Sequence, residues 1–337
     1  MAGQAKTSSK SVVGVNGVAV GNGIDHEYLR GHEQVAELQR VRMLTAMAQE
    51  VSERGAANVS VAHVVGRSGV SRRTFYEIFD DCEDCFLAAF DDALKHAAAA
   101  VLPAYEGSGR WLARVRSALI ALLDALECDR AMGRLLIVES LAAGPRALER
   151  RQHVIAQIIP FIEQGSTESK TADSPPALTA EGILGGVLSV LHARLTEKNP
   201  GSLLELTGPL MSMIVLPYLG PVAARKEIQR PVPKRMGKRP VVRADPLQDL
   251  PMRLTYRTMR ALTSVAEHPG SSNRAIGRRA GIGDQGQASK LLARLHKLGL
   301  IENQGGDPAR GEPNAWALTA TGMQVHESIA GLGTGAM

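Results

Sequence analysis

A chain of 337 residues, 44% of them hydrophobic, has material for two or three globular domains with real cores. Aromatics at 4% and an abundance of Ala, Leu and Val favour helices, and three cysteines, an odd number, argue against a disulfide framework and suit a reducing, cytoplasmic setting. The net charge of +5 is uneven: residues 1–222 carry 21 Lys and Arg against 25 Asp and Glu, whereas residues 223–337 carry 18 against 9, and a basic region is the footprint of a polyanion partner.

Lys6 and Lys10 precede an uncharged run from Ser11 to Ile24. Gly14, Asn16, Gly17, Gly21, Asn22 and Gly23 break that run, which is too discontinuous for a secretory apolar core, so residues 1–29 are expected to form a flexible tail. A first domain is expected over 30–96. Val35, Leu38, Val41, Leu44, Met47 and Val51 recur at helical spacing, and Gly55 ends the helix. Residues 60–79, SVAHVVGRSGVSRRTFYEIF, then read as two short helices around a tight turn. Ser60 caps the first, and Val61, Val64 and Val65 give it an apolar face. Gly69 supplies the left-handed turn residue, Val70 plugs the angle, and Ser71 caps the second helix. Phe75 and Phe79, at i and i+4, fall on the core side and leave Arg72, Arg73, Thr74 and Tyr76 at an exposed N-terminal end. A further helix starts at Asp81, with Phe86, Leu87 and Phe90 on one side.

Gly69-Val70-Ser71, Thr74-Phe75-Tyr76 and Phe79 resemble the DNA-binding signature of the TetR/AcrR regulators. The resemblance implies a helix-turn-helix head whose second helix enters the major groove of double-stranded DNA. The head residues it assigns to DNA are Ser60, Arg67, Ser71, Arg72, Arg73, Thr74 and Tyr76.

From 97 to 224 helical blocks are expected near 111–127, 129–142, 145–164, 178–198 and 202–218, with a loop over 165–177. No period-2 alternation appears there, so no sheet is expected. Residues 206–224 are apolar and uncharged, but Gly208, Pro209, Pro217, Gly220 and Pro221 make them a poor membrane span, and a buried helix is expected. The family resemblance implies that this helical body is a regulatory and dimerisation domain. It places a two-fold interface at about 178–218, where Gly182, Gly185 and Gly186 permit close approach and Leu184, Val187, Leu188, Leu191 and Leu195 add apolar surface. It also implies a small-molecule effector pocket, for which Trp111, Met132, Leu136, Glu139, His153, Gln157 and His192 are the candidates. Each of these also suits an ordinary core or surface position.

Residues 225–250 are basic and Pro-rich, with Arg225, Lys226, Arg230, Lys234, Arg235, Lys238, Arg239 and Arg243, which reads as a linker. Residues 251–330 then follow a winged-helix order. A helix over 253–267 turns Leu254, Met259, Leu262 and Val265 inward, and a second spans 272–280. After the turn at 280–283, a third over 284–298 has a stripe of Leu291, Leu292, Leu295 and Leu298. Two strands around a Gly- and Pro-rich loop and a last helix complete the order. The stretch RLHKLGLIEN…NAWALTATG resembles MarR-like regulators. The resemblance implies a second DNA reader using Arg278, Arg279, Gln285, Gln287, Ser289, Lys290, Arg294 and Arg310; Gln suits adenine edges and Lys suits guanine or phosphate. Asp284 at the helix tip opposes phosphate, and a protein-interaction role for this domain stays open.

Cys82 and Cys85 form a C-x-x-C at a helix start, without a second cysteine pair or a close histidine pair, so no metal site or cofactor is expected. Asp80, Asp81, Glu83 and Asp84 surround them with negative charge. No phosphate-binding loop, nucleophile elbow or zinc-protease motif occurs, and no enzyme is expected. The expected fold is mainly α: a helix-turn-helix head on an all-helical regulatory body, plus a C-terminal winged helix with a small two-stranded wing. The expected function is a ligand-responsive repressor acting as a homodimer; an effector-independent architectural DNA binder is the alternative.

Overall fold

The computed structural model describes residues 22–169, 175–198, 201–234, 256–305 and 313–332. The expectations for residues 1–21, Leu254, Arg235, Lys238, Arg239, Arg243 and Arg310 lie outside what it describes, as do the side chain of Val35 and part of the 165–177 loop. The fold is mainly helical with one two-stranded antiparallel sheet.

The first helix, α1 (Asn22–Arg54), begins earlier than the sequence suggests: residues 22–29, expected as tail, are helical. Its C-terminal half lays Met43, Leu44, Met47 and Val51 into the head core. There it packs on α2 (Val61–Ser68) and α4 (Cys82–Glu106), with α3 (Arg72–Ile78) set against α2. Gly69 ends α2 in the left-handed conformation at φ 66°, which a side chain would strain. Ser71 accepts the Thr74 N–H at 3.0 Å and starts α3. Phe75 and Phe79, both buried, anchor α3 from below with ring centroids 5.5 Å apart.

The body comprises α5 (Trp111–Cys128), α6 (Arg130–Gly133), α7 (Pro145–Glu163), α8 (Thr179–Thr196) and α9 (Thr207–Gln229). Between α6 and α7 the chain widens into a π-turn, Arg134–Val138, and then tightens into a 3₁₀ turn, Glu139–Leu141. The 202–218 block is longer than expected. It bends at Gly220 (φ 80°) and continues to Gln229, so the first residues assigned to the linker are helical. Glu227, almost wholly buried, accepts a 2.6 Å bond from Arg116 and ties that extension to α5. Residues Leu203–Gln229 are long and apolar enough to cross a membrane, but one face, with Leu210, Met211, Ile214, Val215 and Tyr218, is packed into the body core.

The C-terminal domain has α10 (Tyr256–Glu267), α11 (Asn273–Arg279), α12 (Gln285–Lys297), β1 (Ile301–Asn303), β2 (Trp316–Leu318) and α13 (Ala320–Leu332). Pairing sets Ile301 opposite Leu318 and Asn303 opposite Trp316. Ser272 caps α11 by accepting the Ala275 N–H, and Thr319 caps α13 by accepting the Gly322 N–H. Gly322 lets α13 approach the chain just before β1, since a Cβ there would lie 1.9 Å from the Leu300 carbonyl oxygen. Leu38 departs from the expected pattern. It is buried among Met259, Leu262, Val265 and Leu295 of the C-terminal domain, because α1 also packs on α10 and α13. One helix therefore serves two cores.

Candidate nucleic-acid interface

On α3, Phe75 points down and the residues around it point out. Arg72, Arg73 and Tyr76 are exposed, Tyr76 at 56%, with its ring edge-on to Phe75 at 5.4 Å. Arg73 pairs with Glu77 at 2.9 Å across an exposed turn, a contact of at most about 0.5 kcal/mol that a phosphate can replace. Arg72 makes no ion pair among the described residues. Thr74 and Ser71 are half-buried and share a 2.8 Å contact between hydroxyl oxygens, so their side chains shape the cap. Ser60 lies exposed at the start of α2, where its N–H donates to His63 Nδ1 at 3.3 Å.

Arg67 is placed differently from the expectation. It turns toward α1, donating to Glu50 at 2.5 Å and to Glu53 and Gln49. Burial would raise the Glu50 carboxyl, but hydrogen bonds from Arg67 and Arg54 outweigh it and hold the group below its ordinary 4.5. Arg67 thus braces α2 against α1. Its partners lie 17 and 14 residues away, beyond what a local motif displays.

Two polar clamps that the sequence did not reveal join head to body. Glu139 accepts the Ala56 N–H at 2.9 Å and an Arg134 bond at 3.0 Å. Arg146, at the start of α7, donates to Glu83 at 2.9 Å and Asp81 at 2.7 Å. The Asp81 carboxyl is held low first by the Asp84 backbone N–H it caps and then by Arg146. This engagement absorbs two of the acids noted beside the cysteines. Burial pushes the Cys82 thiol up, and burial followed by Cys82 pushes Cys85 up further, which disfavours the thiolate at both.

In the C-terminal domain, Gln285, Gln287, Lys290 and Arg294 of α12 are exposed, as are Arg278 and Arg279 of α11. Gln287 accepts a 3.4 Å bond from Arg257, and Arg279 donates to Ser271 at 3.1 Å. Asp284 caps α12 by accepting the Gln287 N–H at 2.7 Å, so the helix itself neutralises part of the charge that would oppose phosphate. Ser289 does not reach outward: half-buried, it accepts from Asn273 at 3.0 Å. Asn273 also takes bonds from Trp316 Nε1 at 2.5 Å and Asn314 at 3.1 Å, and Asn314 accepts from Asn303 at 3.0 Å. This asparagine network, unrecognised in the sequence, fixes the base of the wing to α11 and α12.

The seven pocket candidates do not come together. Trp111 is buried against Tyr218 and donates its Nε1–H to the Phe161 carbonyl at 2.8 Å; Met132 is also buried. Leu136 is half-buried, Glu139 forms the head clamp, and His153 and Gln157 face outward on α7. His192 alone lines an open groove of about 360 Å³ between α7 and α8, with Ile137, Leu141, Arg151, Ile155, Glu181, Gly185, Leu188 and Ser189.

No family model matches the chain, and no curated protein matches it. Among solved structures, it resembles the fatty acid degradation regulator FadR from Bacillus halodurans, with TM-score 0.47 and 14% identity over 52% of this chain and 94% of that one. It also resembles a TetR family transcription regulator from Marinobacter aquaeolei VT8, with TM-score 0.42 and 19% identity over 53% and 94%. A third is a TetR transcriptional regulator from Streptococcus agalactiae 2603V, with TM-score 0.41 and 15% identity over 57% and 99%. These neighbours are transcriptional regulators matched over about half of this chain, and at such overlaps the likeness adds nothing to the geometry above.

Proposed function

We propose that the chain is a cytoplasmic, homodimeric transcriptional regulator that binds double-stranded DNA and represses by occupying a promoter until a small molecule releases it. The observation that carries this reading is α3: a helix capped by Ser71, seated on Phe75, presenting Arg72, Arg73 and Tyr76 from its N-terminal end. Two side chains able to bond base edges or phosphates, beside an aromatic hydroxyl, suit the major groove better than a solvated face.

Dimerisation is supported by an unpartnered surface on α8 and α9. Gly182, Ser189 and Ala193 are exposed along one side of α8, and a Cβ at Gly182 or Gly185 would meet nothing within 4 Å. Met213 and Leu216 of α9 are exposed beside them. Small residues next to exposed apolar ones fit a close helix pairing with a second copy. We assign α12 the part of a second reader, because its exposed face is Gln, Gln, Lys and Arg while Asp284 is spent on the cap.

Selection of bound duplexes from random DNA by the full chain tests this proposal. An inverted-repeat motif supports a dimeric sequence reader, and recovery of no enriched sequence would leave a non-specific binder or none.

A further inference from the structure

Three arginines of α7 lie at its N-terminal half, and two of them are satisfied. Arg146 holds Asp81 and Glu83, and Arg150 donates to Asp91 at 2.7 Å. Arg151 makes no ion pair among the described residues, although it is half-buried in the wall of the groove between α7 and α8. Burial holds its guanidinium below the ordinary value. Glu181 lines the same groove, yet it pairs with no arginine among the described residues; its charge is felt at Tyr218, whose phenol is raised first by burial, then by Glu163 and Glu181. The rest of the wall near Arg151 is apolar, chiefly Ile137, Ile155 and Leu188, with His192 on the α8 side. The volume of about 360 Å³ falls within the range of small-molecule sites.

A desolvated guanidinium is costly without an anion, and its planar fork matches a carboxylate at two points. We propose that this groove binds an amphipathic monocarboxylate, with the carboxylate on Arg151 and the apolar portion along Ile137, Ile155 and Leu188. This gives a chemical class to the effector of the proposed regulator, and it rests on that reading only for its biological meaning. The anion rather than a neutral ligand follows from Arg151, which makes no ion pair among the described residues and which a ligand seated in the groove would shield from water.

Isothermal titration of the full chain without DNA tests it, with decanoate and decanol as probes. Decanoate is expected to bind at least about ten-fold more tightly than decanol, the factor that one charge-assisted bond supplies. Arg151→Gln should remove that preference, Arg151→Lys should keep part of it, and Arg150→Gln, outside the groove, should leave it intact. Equal binding of the two probes, no binding of decanoate, or an Arg151→Gln chain that keeps the preference would each overturn the proposal. Failure of the DNA reading leaves this titration unaffected, since no DNA is present.

Discussion

Arg72 and Arg73 are neighbours in the chain with different local fates, and the difference sets an expected order of effects. Arg72 is ready for a base or phosphate, whereas Arg73 must first leave Glu77. Arg72→Ala is expected to cost about 1–3 kcal/mol in binding to the selected sequence, and Arg73→Ala less. Tyr76→Phe, which removes one hydroxyl, should weaken all sequences slightly, as checked by anisotropy titrations on specific and unrelated duplexes. Arg67→Ala should instead lower stability by about 2 kcal/mol in denaturant unfolding, because it strips a charge-assisted bond from a buried carboxylate. The same carboxylate gives a pH signature. Its native pKa is depressed, so its contribution is full above the ordinary 4.5 and is lost as pH falls through the carboxylate range. The stability gap between the wild type and Glu50→Gln should therefore shrink on acidification toward pH 3.

At the scale of elements, legibility followed how local each determinant is. Ser71, Gly69 and the Phe75/Phe79 spacing act within one turn or two, and the helix-turn-helix was readable from them. Arg67 was not, since its meaning lies on another helix. The pocket residues failed for a related reason: nothing in helical spacing says that Glu139 reaches Ala56 or that His153 and Gln157 face solvent. The wing's order of elements was legible, but the Asn273 network that locks it joins positions 16 to 43 residues apart. Asn273→Ala should leave the Trp316 indole N–H without its acceptor and loosen the wing, seen as faster amide exchange over β1 and β2 with the head unaffected. The dimer surface has a sharper test than Gly186, whose Cβ would press on Met213 of the same chain at 2.9 Å. Gly182→Leu enters open space in one copy, so it should fold normally while weakening self-association in sedimentation. A wild-type chain that stays monomeric at micromolar concentration would remove the two-fold interface.

For the whole molecule, α1 makes the two candidate readers parts of one frame. Leu38 ties that helix to the C-terminal core, so Leu38→Asp is expected to free the C-terminal domain without unfolding the head, raising the radius of gyration in solution scattering. The basic third should add phosphate contacts, each worth about 0.9 in the slope of log K against log salt. Truncation to test this belongs after residue 234 rather than 224, because α9 and the Glu227–Arg116 pair hold the segment to Gln229 in the body. A slope unchanged by that truncation would move the winged helix toward a protein partner. The central claim, that α3 reads DNA, is tested most directly by one comparison at fixed salt: the affinity of wild type and of Arg72→Ala/Arg73→Ala for the selected duplex and for an unrelated one. The double variant is expected to lose at least about ten-fold on the selected duplex and much less on the unrelated one. Equal affinity of the two proteins for the selected duplex would contradict the assignment of α3 as the reader.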